Sequence, residues 1–63
     1  MSETVRAELA ASAEAIDRYR GRVASLIETL GPNSEDLATA MYEAERALLS
    51  AYRLLIRAEK TAR

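Results

Sequence analysis

The sequence predicts an all-α protein: an antiparallel two-helix hairpin that dimerises into a four-helix bundle. Hydrophobic residues make up 49% of the 63 residues, and many are alanine, a composition that favours helix over strand. Apolar residues recur at seven-residue spacing in both halves of the chain, and the only proline lies between these halves. A chain this short forms a single domain, residues 1–63, whose own core is small.

The first helix is predicted over about residues 3–30. Two core positions of its heptad carry apolar residues. The first set comprises Leu9, Ile16, Val23 and Leu30, and the second comprises Val5, Ser12, Tyr19 and Leu26. The other side of the helix carries Ala7, Glu14, Gly21 and Glu28. This pattern predicts one packed face and one solvated face.

The turn is predicted at residues 31–34, where the sequence reads Gly31-Pro32-Asn33-Ser34. Gly31 stands where a helix C-terminal cap belongs, and Pro32 cannot continue a helix. Either Asn33 or Ser34 is expected to cap the second helix. Because the connection is short, the two helices should be antiparallel neighbours.

The second helix is predicted over about residues 35–61. Its core positions are Met41, Leu48 and Leu55 together with Leu37, Ala44, Ala51 and Ala58. Folding at the turn places Val23 beside Ala44 and Ile16 beside Ala51, so that large side chains meet small ones. The same register brings Arg22 near Glu45, a surface pair of small energetic value.

A second apolar stripe on this helix stays uncovered in the hairpin. It comprises Tyr42, Leu49, Tyr52, Leu54 and Ile56. A helix apolar over so much of its circumference needs more than one neighbour. The stripe is therefore predicted to be the interface of a homodimer or, as the less favoured alternative, a groove for a helix of another protein. The corresponding function is a non-enzymatic interaction or regulatory module.

The composition argues against most other function classes. Histidine and cysteine are absent, which removes the usual imidazole base, the thiol nucleophile and the commonest metal ligands. The sequence contains no phosphate-binding loop or nucleophile motif, so we expect no catalytic, cofactor or metal site. A formal net charge of -1 generates no field toward nucleic acid or membrane. No apolar run approaches the ~20 residues that span a bilayer, and the N-terminus lacks signal-peptide features, so the expected location is the cytoplasm.

The layout of two long helices joined by a short turn resembles the Rop family of small RNA-binding proteins. The resemblance covers the plan of the whole chain and rests on no shared motif. It implies a dimeric four-helix bundle that binds paired RNA loops through polar and basic residues of its first helices. An RNA-binding regulator is therefore the alternative function, with Arg18, Arg20 and Arg22 as the possible contacts. Residues two apart on a helix point in different directions, however, so solvated ion pairs remain the favoured interpretation of these arginines.

Overall fold

Two helices packed against each other form the hairpin that the sequence predicted. The computed structural model describes residues 2–62, without the side chain of Ser2. Helix α1 spans Ser2–Ile27 and helix α2 spans Glu35–Thr61, and the two are in contact. The molecule measures 51 × 14 × 10 Å, so it is a rod that is two helices wide and one helix thick.

The end of α1 lies at Ile27, before the predicted end at residue 30. The backbone N–H of Thr29 donates to the Leu26 carbonyl at 3.0 Å, and that of Leu30 donates to the Ile27 carbonyl at 3.1 Å. The Thr29 hydroxyl also donates to the Leu26 carbonyl, at 2.7 Å. These bonds satisfy carbonyls that the helix end leaves free. The predicted glycine cap is wrong: Gly31 has no positive φ, because the helix has already ended and a residue before proline avoids the helical region.

The start of α2 is set by backbone rather than side-chain bonds. Ser34 is the N-cap residue, and its carbonyl accepts from the Ala38 N–H at 2.8 Å. The Ser34 hydroxyl makes no capping hydrogen bond. Acidic Glu35 and Asp36 lie in the first turn and Lys60 in the last, so the charges complement the helix dipole at both ends.

The residues that face the other helix differ from the predicted core rows. On each helix, one of the contacting rows lies one residue later in the chain than a predicted core row, which corresponds to a rotation of each helix about its axis. On α1 the interior row is Ala13, Arg20 and Ile27, flanked by Leu9, Ile16 and Val23. On α2 the half-buried rows are Ala38, Glu45, Tyr52 and Glu59, and Met41, Leu48 and Leu55. Most predicted core residues that come one position before these rows are exposed instead: Val5, Ser12, Tyr19, Leu26, Leu37, Ala44 and Ala58.

Side-chain size explains this rotation. The α1 surface that faces α2 carries the small residues Ala10, Ala13 and Ala24. Small residues let a second backbone come close, and the bulk is supplied by the larger side chains of α2, such as Leu48 and Leu55. Small residues of both helices lie at this contact, because Ala38 of α2 is half-buried as well.

The interior of the single hairpin is thin. Among the residues whose burial is described, 3–62, Ala13 alone is buried, with 1% of its surface exposed, and no large side chain is fully buried. The apolar rows of both helices are therefore covered on one side only.

Candidate interaction surface

A charged cluster lies at the contact between the helices. The Arg20 Nε donates to Asp17 Oδ1 at 2.9 Å, and its Nη1 lies 3.7 Å from Glu45 Oε2 on α2. The side chains of Arg20 and Glu45 are only 30% and 26% exposed. One guanidinium thus lies between a carboxylate of its own helix and a carboxylate of α2. This pairing accounts for the half-burial of two ionisable side chains, Arg20 and Glu45, at the helix contact.

The predicted partner of Glu45 was Arg22, and this prediction is wrong. The Arg22 guanidinium lies 5.4 Å from the centre of the Tyr19 ring, a cation–π geometry within α1. The rotation of the contact places Arg20, and not Arg22, beside Glu45.

The three arginines considered for nucleic-acid binding do not form one surface. Arg18 and Arg22 are exposed, whereas Arg20 is half-buried and bound to two carboxylates. Arg20 therefore serves the contact between the helices and is not available on the same face as the other two.

The five residues predicted as the interface lie on different sides of α2. Tyr42 is exposed and shares a seven-residue row with Leu49 and Ile56, which are half-buried. Tyr52 belongs to the half-buried row of Glu45, so it faces α1. Leu54 is exposed on the other side of the helix. The stripe is consequently narrower than the sequence suggested, and part of it already contacts α1.

A broader apolar surface runs across both helices. We call it the open face and define it by the residues one position before the interior rows. These are Val5, Ser12, Tyr19 and Leu26 of α1, and Leu37, Ala44, Ala51 and Ala58 of α2. In an antiparallel pair of right-handed helices, the residue before an interior position lies on the same side of the hairpin in both helices. Both rows therefore belong to one surface.

The open face is rich in large exposed side chains. Val5 and Tyr19 are each 51% exposed, Leu26 is 49% exposed and Leu37 is 53% exposed. Leu54, at 57%, borders this face because it lies three residues after Ala51 and four before Ala58. Of the six large hydrophobic residues exposed in the described part of the chain, only Tyr42 lies elsewhere.

The reverse side of the hairpin is polar. One position after the interior rows come Ala7, Glu14 and Gly21 of α1, Glu28 just beyond its end, and Thr39, Arg46, Arg53 and Lys60 of α2. The hairpin is thus amphipathic as a unit, because the reverse side carries most of these charges and Tyr42 is the one large hydrophobic residue exposed outside the open face in the described part of the chain.

Other features of the described residues offer little for a small ligand. A depression of about 540 Å³ lies at the turn and is lined by residues 32–37. A helix N-terminus attracts anions, but the carboxylates of Glu35 and Asp36 stand in this depression and oppose an anion there. Across residues 2–62, no three carboxylates come together in a way that could hold a metal ion.

Comparisons of the chain with known protein families, with curated proteins and with solved structures find no match. Within residues 2–62, neither helix is both long and apolar enough to cross a membrane. The interpretation of the open face therefore depends on its own geometry and chemistry.

Proposed function

We propose that this chain is a non-enzymatic interaction module that works as a homodimer, in which two hairpins form a four-helix bundle. The observation that carries the proposal concerns residues 3–62: Ala13 alone is buried among them, whereas six large hydrophobic side chains are about half exposed or more. A contiguous patch of such side chains on a soluble domain marks a surface that a partner covers.

The surface area supports the same conclusion. The hairpin exposes 4927 Å², whereas a compact monomer of its mass would expose roughly 4,000 Å². The excess of about 900 Å² is close to the ~800 Å² that each partner buries in a standard interface. The radius of gyration, 14.8 Å, likewise exceeds the ~11 Å expected for a compact domain of this length.

The polar residues also favour a structural role. Arg20 pairs with Asp17 on its own helix and with Glu45 across the helix contact, so these three charges take part in contacts within the hairpin. The chain has no histidine or cysteine to supply the side chains that most often act as base or nucleophile. The chemistry that this surface supports best is apolar association.

The decisive measurement is the mass in solution, by sedimentation equilibrium over a wide range of concentrations. We expect twice the chain mass of 6.9 kDa, reached at micromolar concentration. The dimer should persist from low to moderate salt, because salt screens exposed charges and leaves apolar burial intact. A folded species that keeps the mass of one chain at every concentration would overturn the proposal.

A further inference from the structure

We infer that a second copy of the chain covers the open face and that a two-fold axis parallel to the helices relates the two copies. This inference rests on the proposed self-association and adds to it the surface and the arrangement. In the resulting bundle, α1 of each copy lies over α2 of the other copy, and every pair of neighbouring helices is antiparallel.

The open face fits a second hairpin better than the row of Tyr42, Leu49 and Ile56 does. Both helices contribute apolar side chains to the open face, so it is two helices wide. Beside the Tyr42 row lie Glu14 of α1 and Glu28 just beyond its end, on the polar side of the hairpin. A second copy placed there would bury carboxylates, which is costly when they have no partner.

Covering the open face also completes the interior of each hairpin. Three large residues of α1, Leu9, Ile16 and Val23, lie between the interior row and the open face and are half-buried, and Leu30 beyond the helix end is half-buried as well. A hairpin laid on the open face would remove these side chains from water together with the exposed ones.

The open face is complementary to itself, which is the property that an interface between identical copies requires. Apart from the small Ser12 and the large Leu37, its α1 half carries the bulky residues Val5, Tyr19 and Leu26, and its α2 half carries Ala44, Ala51 and Ala58. An axis parallel to the helices brings each bulky half against a small half. An axis across the helices would instead place α1 on α1 and set bulky rows against each other.

The arrangement also determines which levels meet. A two-fold rotation about an axis parallel to the helices allows no sliding, so residues at the same level of the hairpin meet across the interface. Ala47 is exposed and borders the open face, because it lies three residues after Ala44 and four before Ala51. The contact of Arg20 with Glu45 puts Tyr19 within about one helical turn of the level of Ala47. The Tyr19 ring of one copy should therefore pack on Ala47 of the other.

The first experiment compares two variants by sedimentation equilibrium. Replacing Tyr19 and Leu26 by aspartate places charges in the proposed interface, and we expect the dissociation constant of the dimer to rise at least about 100-fold. The matched control is Tyr42→Asp, which changes an equally exposed tyrosine on the other side and should alter the constant less than about 3-fold. A dimer that tolerates Y19D/L26D and is lost in Y42D would overturn the assignment of the face while leaving self-association intact.

A second experiment introduces no charge into the open face and does not depend on how an aspartate variant folds. The chain contains no cysteine, so Tyr19→Cys and Ala47→Cys can be mixed and oxidised. We expect a disulfide between the two different variants and little disulfide within Tyr19→Cys alone, because the axis holds the two copies of residue 19 far apart. Mixing Tyr42→Cys with Ala47→Cys is the control and should give no specific product.

The outcomes distinguish the proposed self-association from the proposed direction of the two-fold axis. A wild-type chain that remains monomeric overturns the proposed function and this inference together. A wild-type dimer in which Tyr19→Cys links mainly to itself overturns the axis alone. A wild-type dimer, together with a disulfide that joins Tyr19→Cys of one copy to Ala47→Cys of the other, supports the self-association and the axis.

Discussion

Gly21 sits inside α1, where glycine lowers stability. A side-chain carbon built at this position meets no atom within 4 Å, so within the hairpin nothing requires the absence of a side chain. Gly21→Ala should therefore stabilise the protein by about 0.5–1 kcal/mol, because alanine loses less backbone entropy on folding. Thermal denaturation should show a rise in Tm of several degrees.

The matched control for Gly21→Ala is Ala11→Gly, at an exposed position of the same helix. It should lower the stability by a similar amount. Gly21 lies on the polar side of the hairpin, so neither variant should change the mass in solution. A lower Tm for Gly21→Ala would mean that a backbone approaches this residue in the assembled protein.

At the scale of the elements, Arg20 is the polar link between α1 and α2. Its guanidinium is part-exposed and lies 3.7 Å from the Glu45 carboxylate, so the attraction is screened. A double-mutant cycle with Arg20→Met and Glu45→Gln should give a coupling free energy of about 0.5 kcal/mol, which falls as salt is added. Urea denaturation of the four proteins provides the measurement.

The control cycle pairs Glu45 with Arg22, the partner that the heptad register predicted. Since Arg22 lies over the Tyr19 ring instead, this cycle should give no coupling beyond experimental error. A coupling free energy between Arg22 and Glu45 equal to that between Arg20 and Glu45 would contradict the position of Arg20 at the helix contact.

At the scale of the whole molecule, the proposed dimer couples folding to association. A hairpin with a single buried residue should be much less stable alone than in the bundle. The Tm should therefore rise with protein concentration, by about 5 °C for each tenfold increase if the unfolding enthalpy has its usual value per residue. Circular dichroism at several concentrations measures this shift, and a constant Tm would contradict coupled folding.

The proposed dimer gives the heptad rows a consistent meaning. The sequence assigned Val5, Tyr19 and Leu26 to a core, and the structure of one hairpin leaves them exposed. In the proposed bundle the same residues face the second copy. The seven-residue spacing would then describe the core of the assembly, while the contact within one chain lies to the side of it.

Much of the fold could be predicted from local signals. The recurrence of apolar residues predicted two helices, and Pro32 placed the break between them, because a proline lacks the N–H that a helix interior needs. The end of α1 at Ile27 was not predictable in the same way. It depends on the hydrogen bonds of Thr29 and Leu30, which compete with one further helical turn at a small difference in free energy.

The sequence by itself determined the two helices, their connection and the large amount of apolar surface for so short a chain. Only the tertiary structure decided which row of residues faces the other helix. The row that contains Ala44 and the row that contains Glu45 lie one residue apart, and both have seven-residue spacing. The row that faces the other helix depends on the close approach of α2 that Ala13 and its small neighbours allow, and on the ion pair between Arg20 and Glu45. Close packing and a shared charge belong to the pair of helices, so neither helix alone could specify them.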